Sequence, residues 1–192
     1  MKIFFLRHTS LDVDKNIFYG QTDLDVSNSF NHELRIIKEK IKDEGINLSN
    51  FLVFSSPLIR CLKLAKSLSK DIHIDPRLKE MNLGDWEMKK FSSIEKNELE
   101  NWENDLMNYK IPNGETNMDF LKRLKSFTDE ILDLKQDVFI VSHAGSINGM
   151  ISNLTGEPFD KLVKNYWEKI SYGSLSLILN KNEKNIIKFL GK

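Results

Sequence analysis

Residues 2–8 of the chain read KIFFLRH, a short apolar run that ends in an arginine and a histidine. Four consecutive apolar residues between polar ends predict a strand that is buried on both faces of a sheet. The same pattern recurs at residues 51–54 (FLVF) and at residues 138–141 (VFIV), the latter directly before Ser142 and His143. The sequence therefore predicts a sheet whose buried strands end in polar residues.

Amphipathic segments separate these strands. Apolar spacing predicts helices over 28–44, 91–109 and 116–134, and a further helix that begins at about 146. Another helix is predicted after the second strand, with Ser56 as its N-cap and Pro57 at its first helical position. Further short strands are predicted at 72–74, 174–179 and 186–190. Short strands that alternate with helices are typical of βαβ units. We expect an α/β fold, a three-layer α/β/α sandwich with a mostly parallel central sheet. We expect one domain over 1–192, with a cap-like insertion at about 76–115.

The predicted strand ends bring together residues that suit a phosphate. Ligands of such sheets bind at the carboxyl ends of the strands, where Arg7-His8 and His143 lie, and Arg60 falls in the first turn after the second strand. Arginine forks match phosphate oxygens. A neutral imidazole is a competent nucleophile near pH 7 without a metal. These residues therefore predict transfer of a phosphoryl group to a histidine.

Such a reaction also needs a proton donor for the leaving alkoxide. A carboxyl group that is partly buried beside a phosphate suits this role. The irregular segment 76–90 contains Glu80, Asp85 and Glu87, and periodicity does not choose among them.

Composition excludes several other classes of protein. The 28 basic and 28 acidic residues give zero net charge, which excludes a strongly basic nucleic-acid binder or a polybasic membrane-docking segment. The single cysteine, Cys61, excludes a disulfide framework and a thiolate metal cluster, and we expect it to pack in the core.

Several other motifs and segments are missing from the sequence. No Walker loop, GxGxxG, HExxH or CxxC is present, so no cofactor and no metal is expected. No apolar run approaches the roughly 18 residues of a membrane span, and the N-terminal run is too short for a signal peptide. We therefore expect a cytoplasmic location.

Motifs along nearly the whole chain carry a family resemblance. They are FFLRHT at 4–9, YGQTD at 19–23, SSPLIRC at 55–61, LKEMNLGDWE at 78–87, PNGET at 112–116 and VSHAG at 141–145. In this order and at these spacings they resemble the histidine phosphatase superfamily, the group that includes cofactor-dependent phosphoglycerate mutase.

The resemblance implies a role for each matching residue. His8 would be the nucleophile that becomes phosphohistidine, and Arg7 and Arg60 would grip the phosphate. His143 would complete the pocket, and Glu80 would be the general acid and afterwards the base for water. Phosphate or substrate contacts are also expected at Thr9, Gln21, Thr22 and Ala144.

Within the superfamily, GDWEM followed by IPNGET most resembles the α-ribazole phosphatases. These enzymes remove the 5′-phosphate of α-ribazole phosphate during assembly of the nucleotide loop of cobalamin. The alternatives are a phosphatase of broad or sugar-phosphate specificity, a phosphoglycerate mutase-type enzyme, or a non-enzymatic phosphate-binding regulatory module. We expect a small-molecule phosphate monoester as partner, neither nucleic acid nor membrane, and allow for a homodimer.

The chain departs from the superfamily signature RHGxTxxN, because residues 7–14 read RHTSLDVD. Thr9 replaces the glycine, Leu11 replaces the threonine, and Asp14 stands where an asparagine is usual. An anionic Asp14 facing a phosphate dianion would be unfavourable. We therefore expect the 10–18 loop to follow a different path.

Overall fold

The computed structural model of the protein describes residues 1–166 and 169–192. Its strands are β1 (Lys2–Arg7), β2 (Leu52–Ser55), β3 (His73–Ile74), β4 (Val138–Ser142), β5 (Leu175–Lys181) and β6 (Lys184–Phe189). Its helices are α1 (Phe30–Asp43), α2 (Ile59–Leu68), α3 (Lys96–Asn104), α4 (Asn117–Leu134), α5 (Ala144–Thr155) and α6 (Phe159–Tyr166). Within these residues, no helix is both long and apolar enough to cross a membrane.

The six strands form one sheet in the order β3-β2-β4-β1-β5-β6. The pairs β3·β2, β2·β4 and β4·β1 are parallel, while β1·β5 and β5·β6 are antiparallel. Successive side chains of β1 alternate between the faces: Ile3 and Phe5 pack against α4 and α5, whereas Phe4 and Leu6 pack against α1 and α2. The predicted α/β/α sandwich with a mostly parallel sheet is confirmed.

Strands β1 and β4 lie side by side at the centre, with Arg7 paired to Ser142. The chain leaves β1 toward the face that α1 covers and leaves β4 toward the opposite face, which α5 covers. Such a divergence opens a crevice at the carboxyl ends of the two strands, where ligands of α/β sheets bind. His8 and His143, the next residues of each strand, therefore enter the same crevice.

The segment between β3 and α4 contributes a small apolar cluster of its own around Trp86, Ile94 and Ile111. The Trp86 ring meets the Trp102 ring edge to face, with centroids 6.0 Å apart, and its Nε1–H donates to Glu98. These two tryptophans therefore pack within the segment. The single domain with a cap at about 76–115 stays a prediction.

Helix α2 begins at Ile59, so the predicted start at Ser56-Pro57 is wrong. The backbone N–H of Ile59 donates to the carboxylate of Asp23 at 2.7 Å, which satisfies an orphan donor of the first turn from a distant loop. The hydroxyl of Ser56 lies 2.8 Å from Nε2 of His143 and also accepts from the backbone N–H of Leu58 at 3.3 Å, in the turn before the helix. Helix α5 likewise begins at Ala144, two residues before the predicted start.

Helix α3 covers Lys96–Asn104 and is shorter than the predicted 91–109. The hydroxyl of Ser93 donates to a backbone carbonyl three residues earlier, within a 3₁₀ turn. The carboxylate of Asp105 accepts from the backbone N–H of Asn108. Such side chains compete with helical hydrogen bonds, and they end the helix although the apolar spacing continues.

Candidate active site

The crevice between β1 and β4 contains two buried imidazoles. His8 and His143 are 2% and 1% exposed, and their ring centroids lie 5.2 Å apart in an edge-to-face arrangement. The backbone of His8 is fixed beside β4, since its N–H donates to the carbonyl of Ser142 at 3.1 Å. The predicted convergence of the two histidines is therefore present.

Hydrogen bonding fixes the tautomer of His8. Its Nδ1 lies 2.8 Å from the carbonyl oxygen of Thr9. A carbonyl only accepts, so Nδ1 carries the proton and Nε2 keeps a free lone pair. Burial holds the pKa of His8 well below its ordinary value, and the charges of Arg7 and Arg60 lower it further, against the Thr9 bond. His8 is therefore neutral and nucleophilic at pH 7.

His143 has the opposite tautomer. The Nε–H of Arg60 donates to Nδ1 of His143 at 3.2 Å, which leaves the proton on Nε2. That nitrogen lies 2.8 Å from the hydroxyl of Ser56. Burial and the adjacent Arg60 hold the pKa of His143 well below its usual range. His143 is thus a neutral ring whose Nε2–H donates to the hydroxyl of Ser56.

Arg60 is completely buried, and backbone carbonyls hold its guanidinium in place. Its Nη1 donates to the carbonyl of Thr22 at 2.8 Å and its Nη2 to that of Gly20 at 2.6 Å. The loop that offers these carbonyls is itself fixed by the carboxylate of Glu87, which accepts from the backbone N–H groups of Gly20, Gln21 and Thr22. Although burial opposes it, these bonds lower the pKa of Glu87.

Arg7 is the last residue of β1 and directly precedes His8. Its Nη1 donates to the carbonyl of Ile170 at 2.7 Å, and its guanidinium carbon lies 4.0 Å from the centroid of the Tyr172 ring. The Nε of Arg7 and the Oγ1 of Thr9 are buried without a hydrogen-bond partner among the described residues. Buried donors are normally satisfied. Neither atom therefore has a protein partner that would compete with a bound oxyanion.

Two tyrosines span the crevice. The Tyr172 ring lies 5.5 Å from the His8 ring, and its hydroxyl is 2.5 Å from that of Tyr19, whose ring lies 5.7 Å from the guanidinium carbon of Arg60. Burial and the bond to Tyr172 raise the pKa of Tyr19. Sequence reasoning missed both as site residues, because Tyr172 lies in a loop with no periodic signal and Tyr19 carries no charge.

Glu80 is the carboxyl group at the start of α5. Its Oε2 accepts from the N–H of Gly145 at 2.8 Å and its Oε1 from that of Met81 at 2.9 Å. A Cβ on Gly145 would lie 2.4 Å from Oε1, so only glycine permits this approach. The guanidinium of Arg123 donates to the backbone carbonyls of Glu80 and Lys79, each at 2.7 Å, and so positions the segment. Sequence reasoning did not identify Arg123.

The other two carboxyl candidates have different surroundings. Asp85 is exposed, and both its oxygens accept from the side-chain amide of Asn113. Both carboxylate oxygens of Glu87 already accept hydrogen bonds from the loop that holds Arg60. Of the three, Glu80 alone contacts the helix that begins beside His143.

The remaining predicted residues are placed as follows. The side-chain amide of Gln21 donates to the Glu80 carbonyl at 3.0 Å, and the Thr22 hydroxyl donates to Glu87 at 2.6 Å. Ala144 is the first residue of α5, where its N–H lies beyond the helical hydrogen-bond ladder. Asp14 is exposed and accepts from the N–H of Asn16, so the altered loop keeps its carboxylate in a local turn. The substrate contacts of Gln21, Thr22 and Ala144 stay predictions.

The single cysteine lies against the site. Cys61 is fully buried, its sulfur lies 3.4 Å from Nε2 of His143, and burial raises the pKa of its thiol. It is therefore a neutral packing group, as its position on an apolar stripe predicted. Across residues 1–166 and 169–192, no three His, Cys, Asp or Glu side chains are grouped so that they could hold a metal ion.

Two neutral imidazoles of opposite tautomer, in a sheet crevice where the charges of Arg7 and Arg60 lower the pKa of both, suit a site that handles a phosphoryl group. Residues 3–191 match the family model of the histidine phosphatase superfamily, branch 1. The chain belongs to this superfamily.

Similar proteins bear several different activities in their names. The chain is 24% identical over 200 residues to "Putative phosphoserine phosphatase 2" of Hydrogenobacter thermophilus, covering 100% of this chain and 95% of that protein. It is 28% identical over 170 residues to "Probable phosphoglycerate mutase GpmB" of Escherichia fergusonii, covering 82% and 76%. The crystal structure of the α-ribazole phosphatase from Shigella flexneri superposes with a TM-score of 0.83 at 25% identity, covering 100% of this chain and 96% of that one.

Proposed function

We propose that the chain is a phosphomonoesterase that works through a phosphohistidine at His8. The observation that carries the proposal is the tautomer of His8: the Thr9 carbonyl holds its Nδ1 proton, and its Nε2 keeps a free lone pair. The lone pair is a nucleophile toward phosphorus, and His143, held by Ser56 and Arg60, would complete the pocket. Arg7 and Arg60 would neutralise the remaining phosphate charge.

Two steps complete the reaction. In the first, Nε2 of His8 forms a bond to phosphorus, the ester P–O bond breaks, and protonated Glu80 gives its proton to the leaving alkoxide. In the second, the Glu80 carboxylate takes a proton from water, whose oxygen attacks phosphorus as the P–N bond breaks. His8 keeps its Nδ1 proton throughout.

The substrate that we propose is α-ribazole 5′-phosphate, in assembly of the nucleotide loop of cobalamin. The sequence GDWEM followed by IPNGET and the similarity to the Shigella flexneri enzyme support it. The residues at 76–115 would then form the cap that selects the substrate, in a single-domain, cytoplasmic protein. A homodimer stays a prediction.

The central experiment is replacement of the nucleophile. His8→Ala should abolish turnover of p-nitrophenyl phosphate and the acid-labile, base-stable phosphoenzyme that the wild-type protein forms. His73→Ala, at an exposed histidine on β3, is the matched control and should form it normally. An acid-stable adduct, or full activity of His8→Ala, contradicts the proposal. The absence of any turnover would instead favour the non-enzymatic phosphate-binding module.

A substrate panel and chelation test the finer claims. The kcat/KM should be higher for α-ribazole phosphate than for phosphoserine or sugar phosphates, and 3-phosphoglycerate should not isomerise. Faster isomerisation of 3-phosphoglycerate than hydrolysis of any ester would make the chain a mutase. EDTA should leave the activity intact, because an imidazole nucleophile and two arginines supply the attack and the charge neutralisation. Loss of activity that Mg²⁺ restores would contradict the metal-free mechanism.

A further inference from the structure

We propose that Glu33 is a positioning residue for His8 and acts through the peptide group between Thr9 and Ser10. The inference rests on the proposed function, in which Nε2 of His8 attacks phosphorus. Glu33 lies in the first turn of α1, outside every motif that carries the family resemblance. It reaches His8 only because the chain folds α1 back against the end of β1.

The peptide group between Thr9 and Ser10 bonds His8 through its carbonyl and Glu33 through its N–H. Its carbonyl, on Thr9, accepts the Nδ1–H of His8 at 2.8 Å. Its N–H, on Ser10, donates to Oε2 of Glu33 at 2.9 Å. A peptide group is a single resonance unit, so a carboxylate at its N–H increases the electron density on its carbonyl oxygen. Imidazole, peptide and carboxylate therefore form one hydrogen-bonded chain.

The carboxylate of Glu33 is itself firmly held. Its Oε1 accepts from the hydroxyls of Ser10 and Ser29, the latter at 2.5 Å, and the hydroxyl of Ser27 lies 2.6 Å from that of Ser29. Although burial opposes ionisation, the bonds from Ser10 and Ser29 lower the pKa of Glu33. The positive N-terminal end of α1 stabilises the same charge. Glu33 is therefore anionic at neutral pH.

This chain of bonds has a chemical consequence. In Ser-His-Asp hydrolases, a carboxylate bonds the imidazole directly, fixes its tautomer and stabilises the positive ring. Here the peptide group stands between the carboxylate and His8. A stronger acceptor at Nδ1–H keeps the proton there, leaves Nε2 free, and stabilises the charge that develops on the ring when phosphorus bonds to Nε2. The same bonds hold the ring at the angle needed for attack.

Single-turnover measurements with p-nitrophenyl phosphate test the proposal. Glu33→Ala should slow phosphorylation of His8 by about 10- to 100-fold, the value of one charge-assisted hydrogen bond, with KM within about twofold because neither guanidinium is disturbed. Glu33→Gln keeps an acceptor for the Ser10 N–H without the charge, so its rate should fall between the two. Glu39→Ala, at an exposed glutamate on the same helix, should match the wild-type protein.

A purely structural role of Glu33 would lower the melting temperature of the Glu33 variants without slowing the phosphorylation of His8. Wild-type phosphorylation in either Glu33 variant, or a loss confined to KM, would overturn the proposal.

A second measurement needs no catalysis. In protein labelled with ¹⁵N-histidine, NMR should show the His8 proton on Nδ1, and in Glu33→Ala the Nδ1–H resonance should move upfield because its bond to the Thr9 carbonyl weakens. An unchanged Nδ1–H resonance in that variant would overturn the role of Glu33. If the resonance moves as expected but His8→Ala retains turnover, the proposed function fails while the structural relay stands.

Discussion

At the scale of single residues, the site assigns opposite tasks to two chemically identical side chains. His8 bonds a carbonyl through Nδ1, while His143 bonds a guanidinium through the same ring atom. One partner can only accept and the other can only donate, so the ring protons reside on different nitrogens. Neighbouring groups, not intrinsic basicity, thus make one ring a nucleophile and the other a donor.

The proposed role of Glu80 as general acid can be tested with esters of good and poor leaving groups. A poor leaving group such as an alkoxide needs a proton, whereas p-nitrophenolate leaves without one. Glu80→Gln should therefore lower kcat/KM for alkyl phosphates by about 10²- to 10⁴-fold and much less for p-nitrophenyl phosphate. We specify kcat/KM because it includes only the steps up to formation of the phosphohistidine, before Glu80 acts as base.

The control for this prediction is Asp85→Asn, which alters an exposed carboxylate bonded to Asn113. It should leave the ratio between the two substrates unchanged. An equal loss for both esters in Glu80→Gln would remove Glu80 from the acid role. A selective loss in Asp85→Asn would transfer that role to Asp85.

At the scale of elements, the loop at 20–22 connects a carboxylate to an arginine. Glu87 fixes the N–H groups of the loop, and the loop carbonyls of Gly20 and Thr22 fix Arg60. Glu87→Ala should therefore raise KM and the Kd for vanadate about tenfold or more, because the loosened guanidinium of Arg60 would lose conformational entropy when the ligand binds. It should also destabilise the fold by about 1–3 kcal/mol, the cost of unpaired buried donors.

Steady-state kinetics, vanadate titration and urea unfolding measure these effects. Glu103→Ala, at an exposed residue of α3, is the matched control and should leave all three values unchanged. If Glu87→Ala binds vanadate with wild-type affinity, the loop does not position Arg60.

The elements that the sequence predicted well are those with local causes. Buried strands such as β1 and β4 are recognisable from unbroken apolar runs, and that alone placed His8 and His143 together. The start of α2 was mispredicted because its first N–H is satisfied by Asp23, more than thirty residues away. Non-local partners leave no trace in apolar spacing.

Within the site, too, features that depend on contacts between distant residues could not be predicted from the sequence pattern. Spacing could not choose among Glu80, Asp85 and Glu87, because the choice depends on contacts with α5 and with Arg123 of α4. The family resemblance implied Glu80, and its role as the general acid stays a prediction. Tyr172 contacts His8 from a loop before β5, where neither hydropathy nor charge predicts a site residue.

At the scale of the whole molecule, the neutral histidines make folding stability depend on pH. The pKa of His8 and that of His143 are lowered mainly by burial, so both rings are unprotonated when folded and take up protons near pH 6.5 when unfolded. The unfolded chain thus binds more protons below that pH. Stability contributed by the neutral rings is complete above about pH 7 and is lost as the pH falls.

Urea unfolding from pH 7.5 to 5.5 should therefore show a free energy of unfolding that declines with acidification, by up to about 1.4 kcal/mol per pH unit for each histidine. The carboxylates with lowered pKa, Glu33 and Glu87, lose their contribution only at lower pH, below their ordinary range. His143→Gln should reduce the slope of the free energy of unfolding against pH by the contribution of one histidine. The control His73→Gln, at an exposed site, should leave the slope unchanged. A wild-type slope of zero, or an unchanged slope in His143→Gln, would mean that the folded protein carries charged rings. The tautomer assignment on which the phosphohistidine mechanism depends would then be wrong.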